Sequence, residues 1–263
     1  MPSAVGAALR RERLVTGLAL LALAALAWLW LLHGAGMGMA PRAVLDPFPH
    51  RLPPMAMPPP EWSLGPFALA TSMWWVMMVA MMLPAAAPVI LLQAAAAPRE
   101  GPAARVHSGY FLGGYLAAWG AFSLVAAGLQ LTLARSELLD QMTMGSGGRW
   151  FSAGVLVSAG LYQLSPLKDA CLAQCRNPAQ FLVRHYRQGR AGALAMGLRH
   201  GAFCVACCWL LMALLFVGGV MNLAWIALLT LLVAAEKLLP GGRWIAWAAG
   251  AVFLAWGAAT ALV

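Results

Sequence analysis

Long apolar runs broken by short basic, proline-rich or glycine-rich breaks make up most of the chain. Stretches of roughly 20 apolar residues are long enough to cross a bilayer as helices. Seven candidates emerge: Leu14 to Leu32, Pro66 to Leu92, Ser108 to Leu133, Trp150 to Leu164, Gly201 to Val220, Leu223 to Ala235 and Trp244 to Leu262. The fourth and sixth are short for a full crossing, and if either turned back, every later span would invert. The short alternating strands of a transmembrane barrel would interrupt runs of this length. The pattern therefore predicts an all-α fold: a polytopic helical membrane protein with about seven transmembrane helices.

Composition supports this solvent assignment. With 62% hydrophobic and 10% charged residues and a mean hydropathy of +0.78, the chain has too few polar residues to cover a water-soluble surface. Disorder, a coiled coil and a disulfide-stapled secreted domain are excluded by the same figures.

The net charge of +9 points to the membrane and not to nucleic acid, because of where the bases fall. With the amino terminus in the cytoplasm, thirteen of the 17 Lys and Arg residues lie in cytoplasmic segments and four on the other side. Arg10, Arg11 and Arg13 would also suit a signal peptide, but the run after them is too long for a typical h-region and reads as an anchor. Three segments follow: residues 1–32 (basic end and first span), 33–65 (extracytoplasmic linker) and 66–263 (helical membrane domain). The bilayer of a bacterial inner membrane is the expected setting. The linker is rich in Pro and Met and carries His33, Met37, Met39, His50, Met55 and Met57; these residue types would suit a weak metal-gathering arm, but without fixed ligand spacing the segment reads foremost as a solvated connection.

No Walker sequence, dinucleotide fingerprint, kinase set, nucleophile elbow or HExxH is present, and no catalytic residue is assigned. The chemistry-bearing residues are soft ligands. All five cysteines fall between Cys171 and Cys208, on the reducing side of the expected topology, where free thiols are the normal state. Cys171 and Cys175, four apart, share one helical face about 6 Å apart along the axis. Lys168 and Arg176 beside them would favour the thiolate form. His200, Cys204 and Cys208 form one helical column, and Cys207 borders it. Counted from Gly201, Cys208 lies about 10 Å into its span, near the cytoplasmic border.

In the second span Met73, Met77 and Met81 line one face, with Trp74, Met78 and Met82 on the next. Thioethers are uncharged soft ligands at home in hydrocarbon, and they also fill irregular gaps in apolar packing. Pro84 removes a helix hydrogen bond and should free the carbonyl of Ala80 beside them. The candidate metal ligands are thus Cys171, Cys175, His200, Cys204, Cys207, Cys208, Met73, Met77 and Met81. Of the remaining features, Glu236 with Lys237 reads as a local ion pair, and Tyr162 with Gln163 as interfacial anchors or groups facing the cysteines. Gly109 with Gly113, and Gly197 with Gly201, read as close helix packing.

Several motifs together resemble a bacterial family of predicted metal-binding integral membrane proteins. They are Trp75, Met78, Ala80, Met81, Met82 and Pro84 (AMM-P), then Tyr162, Gln163, Ser165 to Lys168 and Cys171, Cys175, Arg176 (CxxxCR) with Pro178. Gly201, Cys204, Cys207, Cys208, Trp209 (CxxCCW) and Met212 follow, then Gly219, Met221 and Asn222. The likeness runs from about Trp74 to Pro240 and departs at Ala206, where glycine is expected. It implies a helical membrane fold and a metal site at the matching cysteines.

The leading expectation is a membrane protein that binds a soft ion, foremost Cu(I), for handling, delivery or transport, with a metallochaperone or metalloenzyme as partner. Thiolates with thioethers select Cu(I), whereas the cysteines alone suit Zn(II) as well. Two alternatives stand beside it. One is a non-catalytic assembly subunit with a structural metal. The other is a membrane thiol-disulfide oxidoreductase, although neither Cys171 with Cys175 nor Cys207 with Cys208 has the CxxC spacing of common redox helices.

Overall fold

A computed structural model describes residues 4–35, 63–96, 102–140 and 144–262. The linker residues Met37, Met39, His50, Met55 and Met57 lie outside them. Ten helices follow in order: α1 (Ala4–Leu32), α2 (Leu64–Ala96), α3 (Pro102–Arg135), α4 (Arg149–Gln163), α5 (Pro166–Arg176), α6 (Pro178–His185), α7 (Gly189–Ala213), α8 (Leu215–Gly218), α9 (Leu223–Leu238) and α10 (Gly242–Leu262). Among the described residues, five helical stretches are long and apolar enough to cross a membrane: Arg13–Leu32, Leu64–Ala95, His107–Arg135, Gly189–Gly218 and Gly242–Leu262. α4 and α9, with 15 and 16 residues, measure about 22–24 Å at 1.5 Å per residue, short of a ~30 Å hydrocarbon core.

The fifth apolar run belongs to a helix that starts at Gly189, not at Gly201. Arg190, Arg199 and His200 interrupt the hydropathy without interrupting the helix, since arginine is a good helix former. Cys208 therefore sits about 28 Å along its helix and not about 10 Å. Between the fourth and fifth runs, two short helices begin at prolines, which suit a first helical turn. Ser165 caps α5 by accepting from the Lys168 backbone N–H at 3.2 Å.

α2 runs through the middle, packed against α1, α3 and α9, while α3 pairs with α7 and α4 with α10. Glycines set the two tightest seams. A Cβ on Gly197 would strike the Phe111 carbonyl, one on Gly201 would lie 2.6 Å from Ala118 Cβ, and one on Gly114 would strike the backbone of Leu194. Gly109 faces open space and Gly113 has only ordinary contact, so that pair does not close the α3–α7 seam as its spacing suggested. Gly160, Gly250 and Gly257 bring α4 and α10 together in the same way.

The proline in α2 has the expected consequence. Pro84 cannot donate to Ala80 O, and the indole of Trp28 on α1 donates to that carbonyl at 3.2 Å. In the core Trp74 is fully enclosed, its indole donating to Gln130 Oε1 at 2.6 Å, and Gln130 in turn reaches Met144 Sδ at 3.5 Å. Leu14, Leu18, Leu21 and Leu26 of α1 are 59–69% exposed, an outward apolar face that suits lipid.

Candidate functional site

Cys204, Cys207 and Cys208 face inward from the second half of α7, each at most 2% exposed. Cys207 and Cys208 turn back along the helix and donate to Cys204 O at 3.1 and 2.9 Å. This clusters the three sulfurs on the face that looks into the protein. From α5, Cys175 brings its thiol beside those of Cys204 and Cys207. Cys171, one turn earlier, lies within the electrostatic reach of Cys207. Two stretches of chain separated by some thirty residues thus meet at one cluster of thiols. All five cysteines are free.

Three other helices complete the surroundings. α9 supplies Lys237, whose Nζ donates to Cys204 Sγ at 2.9 Å and which is 6% exposed. α3 supplies Tyr115, whose hydroxyl lies 3.2 Å from Cys204 Sγ and 3.2 Å from Met82 O. α2 supplies Met82, with its Sδ 3.9 Å from Cys208 Sγ. Met73, Met77 and Met81 are all fully buried on α2, but the methionine in sulfur contact with the cysteines is the next residue, about 100° further round the helix.

His200, one turn before Cys204, is 2% exposed and packed among aromatic rings. It stacks on Tyr115 at 5.9 Å and meets Phe181 edge-on at 4.9 Å, while its Nδ1 has no hydrogen-bond partner. A buried ring nitrogen without a partner is uncommon and costly.

The charges beside the α5 thiols do not act as their sequence neighbourhood suggested. Lys168 is fully buried and points away, 2.7 Å from Glu236 Oε2, and also binds Gln163 Oε1; Gln163 Nε2 donates to Glu236 Oε1 at 2.6 Å. Arg176 reaches Leu239 O at 2.9 Å. No cation therefore pulls the Cys171 thiol down: burial, and then the neighbouring Cys207, push it up. The neighbouring Cys204 and Cys207, then burial, push the Cys175 thiol well up. The cation at the cluster is Lys237. Glu236 and Lys237 do not pair with each other; the first bonds Lys168, the second Cys204.

Tyr162 also faces this region. Its hydroxyl donates to Ala206 O at 2.5 Å and its ring meets Trp209 edge-on, which ties α4 to the half-buried Ala206 of α7.

Among the described residues, no three His, Cys, Asp or Glu side chains stand as a closed metal site. The donor set nevertheless fits a soft cation. It offers three thiols on one face of α7, the Cys175 thiol beside two of them and a thioether, and among the described residues no carboxylate is hydrogen-bonded to these thiols; soft donors of this kind suit a thiophilic ion and not a hard one. Sequence reasoning missed Lys237, Tyr115 and Met82, the three groups that reach the cluster from other helices.

No curated protein and no solved structure matches the chain. Residues 71–260, which hold α3 to α9, all five cysteines and the methionines of α2, match the family described as PpoB2, copper chaperone. With most of its length matched, this chain belongs to that copper chaperone family.

Proposed function

We propose that this protein binds copper as Cu(I) in the bacterial inner membrane and passes it to, or receives it from, a metallochaperone or copper enzyme. The observation that carries this reading is the convergence of Cys175 from α5 with Cys204, Cys207 and Cys208 from α7. Cu(I) is soft and is held best by thiolates and thioethers. Cys171 lies at the rim of the cluster, and His200, one turn before Cys204, is a further ligand for an ion seated there.

The methionines of α2 extend the sulfur surface. Met73 and Met77 lie towards the start of that helix, and Met81 leads to Met82, which touches Cys208. In this reading ions move from weaker thioether to stronger thiolate ligands along α2.

Seven crossings, with the amino terminus inside, agree with the loop contacts. The α3–α4 connection meets the α8–α9 turn, with Val220 N donating to Met144 O at 3.2 Å, as both must if α4 and α9 also cross. At the other end α5 meets the α9–α10 corner, where Arg243 lies 2.9 Å from Asp169. That end carries most of the basic residues and faces the cytoplasm.

The test is metal analysis of the full chain, purified in detergent under reducing conditions, with copper and zinc measured together. Wild-type protein should retain copper in stoichiometric amount, and the triple variant Cys204→Ser, Cys207→Ser, Cys208→Ser should lose it. Equal copper in both, or none in the wild type, rejects the site.

A further inference from the structure

A buried ammonium needs a compensating charge, and the acidic neighbour of Lys237 is already engaged. Glu236 is held by Lys168 at 2.7 Å and by Gln163 at 2.6 Å, while Lys237 turns to the sulfurs. Its Nζ lies 2.9 Å from Cys204 Sγ, and both residues are buried. The thiol cluster therefore contains one built-in positive charge within a water-poor site, where net charge is costly.

We infer that Lys237 is a specificity-determining residue, whose ammonium makes the cluster suited to a monovalent thiophilic cation. This rests on the copper-binding reading above and deepens it. Two thiolates, one ammonium and one singly charged ion sum to zero, and a doubly charged ion in the same place leaves an excess positive charge. Without the ammonium the order reverses, and the divalent ion becomes the neutral occupant of two thiolates. A divalent ion on three thiolates is also neutral beside Lys237, but only after a third thiol has been ionised in the water-poor site, a cost the monovalent ion avoids. The lysine also shapes the site sterically, since its ammonium occupies one side of Cys204 while Tyr115 occupies another.

The experiment compares full-length wild type with Lys237→Met, Lys237→Arg and the control Arg149→Met, which removes an exposed charge at the start of α4, all in detergent under reducing conditions. Each is loaded with Cu(I) and Zn(II) together and challenged with bathocuproine disulfonate. Lys237→Met should lower retained copper relative to zinc by about tenfold or more, the scale expected for an uncompensated buried charge. Lys237→Arg, which keeps the charge, should restore most of the ratio, and Arg149→Met should keep it. An unchanged ratio in Lys237→Met, or an equal fall in Arg149→Met, overturns the inference and leaves the copper site standing. Wild-type protein offered equal Ag(I) and Cd(II), two thiophilic ions that differ in charge, should hold silver preferentially. Equal retention also overturns the inference, whatever the variants do. Wild type that holds neither copper nor silver removes the copper reading itself.

Discussion

Replacing Lys168 by Met tests whether a buried polar strut holds α5, and with it Cys175, against the rest of the cluster. The side chains of Lys168 and Glu236 are 0% and 2% exposed and meet at 2.7 Å, with Gln163 bonded to both. Lys168 lies near the start of α5, Gln163 at the end of α4 and Glu236 near the end of α9, so one network joins three helices. Removing the lysine leaves the Glu236 carboxylate in a buried place with only the Gln163 amide for support. Breaking such a pair from one side costs about 3–5 kcal/mol, more than a hundredfold in the ratio of folded to unfolded protein. Removing both charges, as in Lys168→Met with Glu236→Gln, leaves no buried ion to desolvate and should cost far less than the two single changes added together. Their coupling should fall near 0.5–3 kcal/mol, about the range for groups in direct contact. Denaturation by sodium dodecyl sulfate in mixed micelles, followed by tryptophan fluorescence, reads these differences. A single variant within about 0.5 kcal/mol of wild type, the range of ordinary surface changes, or a double variant equal to the sum of the singles, would refute the strut.

Gly197→Ala places a methyl group against the Phe111 backbone and should destabilise by about 1–3 kcal/mol in the same assay, whereas Gly109→Ala, which meets nothing within 4 Å, should be neutral or mildly stabilising. Trp28→Phe removes the donor to the buried Ala80 carbonyl and should cost about 1–3 kcal/mol; an unchanged unfolding curve would show that water or another group serves that carbonyl. Burial and the neighbouring Cys207 raise the Cys171 thiol, so its thiolate fraction at neutral pH is small. Alkylation of Cys171 by iodoacetamide, measured by mass spectrometry, should therefore be slow at pH 7 and quicken by up to about tenfold per pH unit until the raised pKa is passed. A rate already level from pH 7 upwards would contradict this shift.

The apolar runs made α1, α2, α3 and α10 legible, because long spans leave few alternatives for twenty apolar residues. The chemistry of Pro84 was also legible, since losing one N–H names the carbonyl that is freed; what the sequence could not name was Trp28 as the group that answers it. The start of α7 was hidden because hydropathy marks where a helix becomes apolar, not where it begins.

At the candidate site, spacing showed which cysteines share a helical face, but not which helix would supply the cation. Lys168 was the near lysine in sequence and Lys237 is the near lysine in space. One signal did bear on this. Glu236 and Lys237 are adjacent on a helix and project about 100° apart, so a mutual ion pair was disfavoured and two separate partners were to be sought. Met82 carried a similar signal, as the Met73–Met77–Met81 column and the Met78–Met82 column face different neighbours and hydrophobicity does not choose between them. Tyr115 gave no local sign, because its partner Cys204 is 89 residues away.

X-ray absorption at the copper K-edge of Cu(I)-loaded, full-length protein probes the ligands themselves. The convergence of Cys175, Cys204, Cys207 and Cys208 predicts a first shell made of sulfur, which disappears in the triple serine variant. A first shell dominated by nitrogen or oxygen, or a sulfur shell that survives the triple variant, would contradict copper binding at these thiols.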